Sequence, residues 1–135
     1  MRRIDDFESK EAAISYLKKA RGFKTVREAE QFLMSHLPKE SYYQSRIISY
    51  LKKHYPDAFI WKAAAGPYSR QGIPDICAVI GGRYYGFEVK RPYIGVLSKM
   101  QEQTIERIRA AGGIAGVVCF PEDVGRIVEG LESDK

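Results

Sequence analysis

The sequence predicts an α/β domain in the order α-β-β-β-α-β-α, preceded by a helical extension, and three observations carry that prediction. Apolar residues recur at helical spacing up to Tyr55, in strand-like runs from 58 to 90, and then as helix, strand and helix toward the C-terminus. Gly81-Gly82 separates two strand-like runs, as a two-residue hairpin turn does. A length of 135 residues suits one domain with a short appendage, divided as an extension over 1–38 and a main domain over 39–135.

In the extension, Ala13, Tyr16, Leu17 and Ala20 share one helical face, and Val26, Ala29, Leu33 and Leu37 share another. Thr25 and Glu28 form a capping box for the second helix, and Pro38 closes the segment. Ser41 with Gln44 offers a second box, opening a helix whose apolar face carries Tyr43, Ile47, Tyr50 and Leu51. Strands are then expected over 58–62, 73–80 and 83–90, with a Gly-rich and Pro-containing loop over 64–72. From Ser98 a helix turns Gln101, Ile105 and Ile108 to one side until Gly112-Gly113 stops it. Residues 114–120 form a continuous apolar strand, and Pro121 opens a last helix with Val124, Ile127, Val128 and Leu131 inward. No internal repeat or low-complexity segment interrupts this pattern.

The apolar run over 114–120 is far short of the roughly 20 residues a membrane helix needs, so no membrane partner is expected. Arg2 and Arg3 are followed at once by acids, without the apolar stretch of a secretory signal, so the expected location is cytoplasmic. Cys77 and Cys119 lie in apolar stretches with no histidine nearby, which reads as two small buried hydrophobes, not a zinc site or a disulfide. A net charge of +5 permits a polyanionic partner without requiring one.

The chemistry concentrates on the hairpin. If Ile80 pairs with Arg83 across a two-residue turn, the register sets Asp75 opposite Glu88. Facing carboxylates about 5 Å apart repel unless something neutralises them, and a shared divalent cation does so. Lys90 lies two residues beyond Glu88 on the same strand face, so its ammonium falls beside the pair. Hard oxygen ligands suit Mg²⁺, whose remaining positions go to water and phosphate oxygens. The implied reaction is phosphodiester hydrolysis, with Lys90 orienting water or neutralising a non-bridging oxygen. The competing reading, acids on an exposed face with Lys90 as an ordinary ion pair, is weakened by the apolar strands around them.

Gly72-Ile-Pro-Asp75 followed by Phe87-Glu-Val-Lys90 resembles the PD-(D/E)XK nuclease signature. Together with Glu40 and Gln44, and with Leu97-Ser-Lys-Met-Gln101, it resembles the virus-type replication-repair nuclease (VRR-NUC) family over residues 40–123. The resemblance implies a restriction-endonuclease-like αβββαβ core, a mixed central sheet flanked by helices. It further implies Asp75 and Glu88 as metal ligands, the Val89 carbonyl as a third, Lys90 as the catalytic lysine and Glu40 as a further acid from the first helix. Glu40 equally reads as an acid favoured at a helix start, just before the Ser41 cap. Gln101 reads both as the partner of Ser98 in a capping box and as an inward residue supporting the site.

From Ile60 to Ala110 eight basic residues (Lys62, Arg70, Arg83, Lys90, Arg91, Lys99, Arg107, Arg109) outnumber four acids (Asp75, Glu88, Glu102, Glu106), a balance suited to backbone phosphates. Lys62, Arg70, Gln71 and Arg91 are the candidates for gripping nucleic acid, whereas Arg107 and Arg109 also suit a solvated helix. The resulting expectation is a Mg²⁺-dependent endodeoxyribonuclease, with Mn²⁺ able to substitute. Small stand-alone members of the family it resembles cut branched DNA such as Holliday junctions as homodimers, which makes DNA repair the expected setting and a second copy the expected partner. Tyr42, Tyr43, Tyr84, Tyr85 and Tyr93 either form a partner surface or pack the core. The alternatives are a flap, nicking or restriction-type nuclease subunit, and a nucleic-acid-binding module with a vestigial site.

Overall fold

The computed structural model describes residues 2–63 and 72–130, and within them the elements follow the expected order. Helix α1 (Lys10–Arg21) starts at Ser9, whose side chain accepts from the Ala12 N–H. Helix α2 (Val26–His36) opens on the expected Thr25–Glu28 box. Ala13, Ile14 and Leu17 pack against Ala29, Leu33 and Leu37, giving the extension a small core of its own that Tyr93 and Ile94 also join.

Helix α3 (Glu40–His54) begins earlier than expected. Lys39 is its N-cap, Ser41 lies inside the first turn, and Gln44 donates to the Glu40 carboxylate at 3.1 Å instead of closing a box with Ser41. The Tyr42 N–H bonds the Lys39 carbonyl, and Arg91 holds the carbonyls of Leu37 and Pro38. The chain is thus turned into the helix at Glu40, where an acid meets the positive end of the dipole.

Four strands, β1 (Phe59–Lys62), β2 (Ile76–Ile80), β3 (Arg83–Val89) and β4 (Ile114–Val118), form one mixed sheet in that order. The first two pairings are antiparallel and the third is parallel. The hairpin register is the expected one, Ile80 with Arg83 through Ile76 with Phe87. Gly81 and Gly82 both take positive φ (56° and 82°), as a type I′ turn requires. β1 and β3 are each one residue shorter than expected, and two strands are shortened further. β2 starts at Ile76 because the Asp75 carboxylate takes the Val89 N–H at 2.8 Å, a group that a longer strand meets with a backbone carbonyl. β4 ends at Val118 because the N–H groups of Cys119 and Phe120 turn to the Asp123 carboxylate and open helix α5 (Pro121–Val128). Leu131 lies outside the described residues.

One sheet face, with Ile76, Ala78, Tyr85, Phe87, Val89 and Val118, packs on Tyr43, Ile47 and Leu51 of α3 and on Val124 of α5. Helix α4 (Lys99–Ala110) covers β3 and β4 on the opposite face. Tyr43 and Tyr85 are core residues, Tyr84 and Tyr93 are half-buried and Tyr42 is exposed. Both cysteines are free thiols, Cys77 buried and Cys119 half-buried. Among the described residues no helix is long and apolar enough to cross a membrane.

The extension is tied to the main body by buried polar groups. Asp5, only 5% exposed, accepts two bonds from the Arg3 guanidinium at 3.0 Å and one from the Tyr43 hydroxyl at 2.7 Å. The Tyr93 hydroxyl lies 3.0 Å from the Phe7 N–H and 3.1 Å from the Ile4 carbonyl. Tyr43→Phe removes one donor from a buried carboxylate and is expected to cost about 1–3 kcal/mol. Urea unfolding measures this directly, and an unchanged midpoint would show that the bond does not anchor the extension.

Candidate active site

Asp75 and Glu88 meet at the open end of the β2–β3 hairpin. Glu88 lies on the same side of β3 as Tyr84 and Gly86, and it is 2% exposed. Its carboxyl is in hydrogen-bonding contact with that of Asp75. Burial, and then this contact, push the Glu88 carboxyl up to about 8, while Lys90 pulls it back down. Asp75 itself is pinned by the Val89 N–H. Because N–H and C=O of one strand residue lie on the same side, the Val89 carbonyl is directed toward the same opening.

Lys90 leaves the end of β3 with its Nζ 3.8 Å from Glu88 Oε2, and its side chain is only 15% exposed. Gln101 comes from the first turn of α4 and makes two contacts, one to the cap and one to the acid. Its Oε1 accepts from the Ser98 N–H at 2.9 Å, and its Nε2 donates to Glu88 Oε2 at 2.7 Å. The capping box therefore fixes the amide that aims at the acid. Gly72 makes this approach possible: it sits at φ 85°, and a Cβ there would lie 2.8 Å from Thr104 Oγ1 and 2.9 Å from Met100 Cγ.

Glu40, at the start of α3, lies within the field of this group. Burial and the charge of Asp75 raise its carboxyl, and Lys90, Arg91 and Lys62 counter that. Among the described residues no three His, Cys, Asp or Glu side chains form a ready-made metal cage, so Glu40 stands outside a three-acid cluster with the pair. That donor set nonetheless fits Mg²⁺, which commonly takes one or two carboxylates and keeps waters elsewhere. The buried Glu88 carboxyl, raised by burial and by the half-buried Asp75 beside it, is the observation that supports the fit.

Of the residues expected to grip nucleic acid, Lys62 is exposed at the end of β1, and Arg70 and Gln71 lie outside the described residues. Arg91 is half-buried and engaged on backbone. Its Nε and Nη2 donate to the carbonyls of Pro38 (2.9 Å) and Leu37 (2.8 Å), clamping the start of the Glu40 helix to the residue after Lys90. Arg91→Lys loses the fork that spans two carbonyls. It is expected to lower stability by about 1–3 kcal/mol while DNA binding without metal stays within about twofold. A stable variant with weakened DNA binding would return Arg91 to the nucleic-acid surface.

No protein-family model matches the chain, and no curated relative matches it. A solved structure described as a VRR_NUC domain superposes with a TM-score of 0.51 at 24% identity, covering 63% of this chain and 92% of that one. The fold is that of a VRR_NUC domain. The order α3-β1-β2-β3-α4-β4 is accordingly the αβββαβ core of the restriction-endonuclease-like class, an α/β arrangement with a mixed sheet. Within this VRR_NUC fold the chain brings Asp75, Glu88, Lys90 and Gln101 to one end of the sheet, with Glu40 at its border. Two features of the site had no signal in the sequence: the Arg91 clamp, and the Gly72 approach to α4.

Proposed function

We propose that the chain is a Mg²⁺-dependent endodeoxyribonuclease, and the observation that carries this reading is the buried Glu88 carboxyl facing Asp75, with Lys90 and Gln101 against it. Asp75, Glu88 and the Val89 carbonyl would hold the cation, with Glu40 nearby. When bound, the cation supplies charge neutralisation at the phosphate and a more acidic water.

The chain's own groups do the rest. Gln101 and Lys90 both contact Glu88 Oε2, which orients the acid. The Val89 N–H fixes the Asp75 carboxylate without using a second side chain. Lys90, partly buried beside the acids, is positioned to hold a water or a non-bridging oxygen. Lys62, exposed at the β1 end and felt by Glu40, adds positive charge on the approach.

Branched DNA such as a four-way junction is the proposed substrate and a homodimer the proposed working form, both carried from the resemblance to the VRR-NUC family. A two-fold dimer suits paired cuts on a symmetric junction. The test is cleavage of a labelled four-way junction and of its matching linear duplex in Mg²⁺. Paired cuts confined to the junction support the reading, and equal cutting of both substrates removes structure selectivity. Binding of both with cutting of neither, in Mg²⁺ or Mn²⁺, would favour a binding module.

A further inference from the structure

Among the described residues, α4 covers the sheet face that carries the acid pair over β3 and β4, while the β1 edge of that face presents exposed aromatic rings. Phe59 is 69% exposed and Trp61 39%, with Val79 beside them at 37%. The rings form a connected row, Phe59 to Trp61 at 5.5 Å between centroids and Trp61 to Tyr84 at 6.3 Å. Register shows that this row leads to the acids. Trp61 pairs with Cys77, and the Ala63 N–H donates to the Asp75 carbonyl at 2.9 Å, so Ala63 and Asp75 continue the same ladder. Asp75, two residues from Cys77, therefore lies on the Trp61 face and diagonal to it, a separation of about 7–8 Å between such positions. Ile60, between the two rings, points to the opposite face and packs on the core.

On the basis of the nuclease reading above, we propose that Phe59 and Trp61 form a stacking platform for bases that leave their pairs at the branch point, next to the cleaved phosphate. Two rings exposed in a row on a rigid sheet offer flat apolar surface to bases that have left a duplex. They offer little to a duplex, whose base faces are already stacked. The surroundings suit a polyanion: Lys90 stands at the acids on this face, and the chain carries a net charge of +5. The platform is also continuous with the acid pair on one face, so a strand stacked on it brings its backbone to Asp75 and Glu88.

Trp61 is the only tryptophan of the chain, so its own fluorescence reports the contact. Titrations are made in EDTA with Asp75→Asn, so that neither metal nor cleavage enters and a failure of the nuclease reading stays separate. Oligothymidylate is expected to quench the emission saturably and a blunt duplex to leave most of it. Phe59→Ala, at a position too exposed to endanger folding, is expected to weaken single-strand affinity about tenfold while the Trp61 signal remains. Labelled-oligonucleotide anisotropy with Trp61→Ala should show a loss of similar size. Unchanged emission on binding, or equal affinity for both forms with no effect of Phe59→Ala, would overturn the proposal. So would sedimentation of a DNA-free dimer that Phe59→Ala dissociates, because the face would then belong to a second copy of the chain.

Discussion

Asp75→Asn is expected to lower cleavage about 10³-fold or more while leaving the fold and DNA binding in place. The asparagine carbonyl oxygen can still accept the Val89 N–H, so the bond that ends β2 at Ile76 survives. What disappears is the negative charge facing Glu88, and with it half of the carboxylate pair that would hold the cation. Without that neighbour the Glu88 carboxyl should also fall toward its ordinary range, since contact with Asp75 is among the causes that raise it. Single-turnover cleavage measures the first effect, and circular dichroism with anisotropy binding checks that nothing else changed. A variant that cuts within about tenfold of wild type would remove Asp75 from the chemistry.

The second large effect is on stability, and its sign follows from Glu88. Unfolded, its carboxyl titrates near the ordinary 4.5; folded, burial and Asp75 carry it to about 8. Between those values the folded state keeps a proton that the unfolded state has released, so stability falls as pH rises through that window. The shift of Glu40 has the same direction. In EDTA the melting temperature is therefore expected to drop by several degrees between about pH 5.5 and pH 8. A divalent cation needs the ionised pair, so Mg²⁺ should restore stability at the upper end of the window and do little at the lower end. Glu88→Gln keeps the shape and can still be held by Gln101, yet has no proton to lose. It should flatten the pH dependence and abolish the Mg²⁺ response. Equal slopes for wild type and Glu88→Gln would show that the buried carboxyl is not shifted.

Much of the site was legible because its parts are local or obey a strict period. A two-residue turn at Gly81-Gly82 fixes every pairing along the hairpin, so Asp75 and Glu88 could be set opposite each other from position alone. The Ser98–Gln101 spacing revealed a cap, and the inward face of the same helix revealed the second use of Gln101. The helix start at Glu40 was misplaced because Ser41 is a good cap in isolation, whereas the actual start is set by Arg91, distant in sequence. Similarly, the length of β2 depends on a side chain replacing a backbone partner at Val89, which strand periodicity does not encode. Alternation assigns Phe59 and Trp61 to one face of β1, but which part of that face stays bare depends on where α4 lands. The anchoring of the extension through Asp5 and Tyr93 is equally a product of tertiary packing.

Whether the Asp75–Glu88 pair with Lys90 hydrolyses phosphodiesters with a divalent cation is decided by one comparison. A labelled branched DNA is incubated with wild type, Asp75→Asn and Lys90→Met, each in Mg²⁺ and in EDTA. Wild type is expected to cut in Mg²⁺ alone, with both variants binding the DNA and leaving it intact. Cutting in EDTA, or cutting by Asp75→Asn at the wild-type rate, would contradict it.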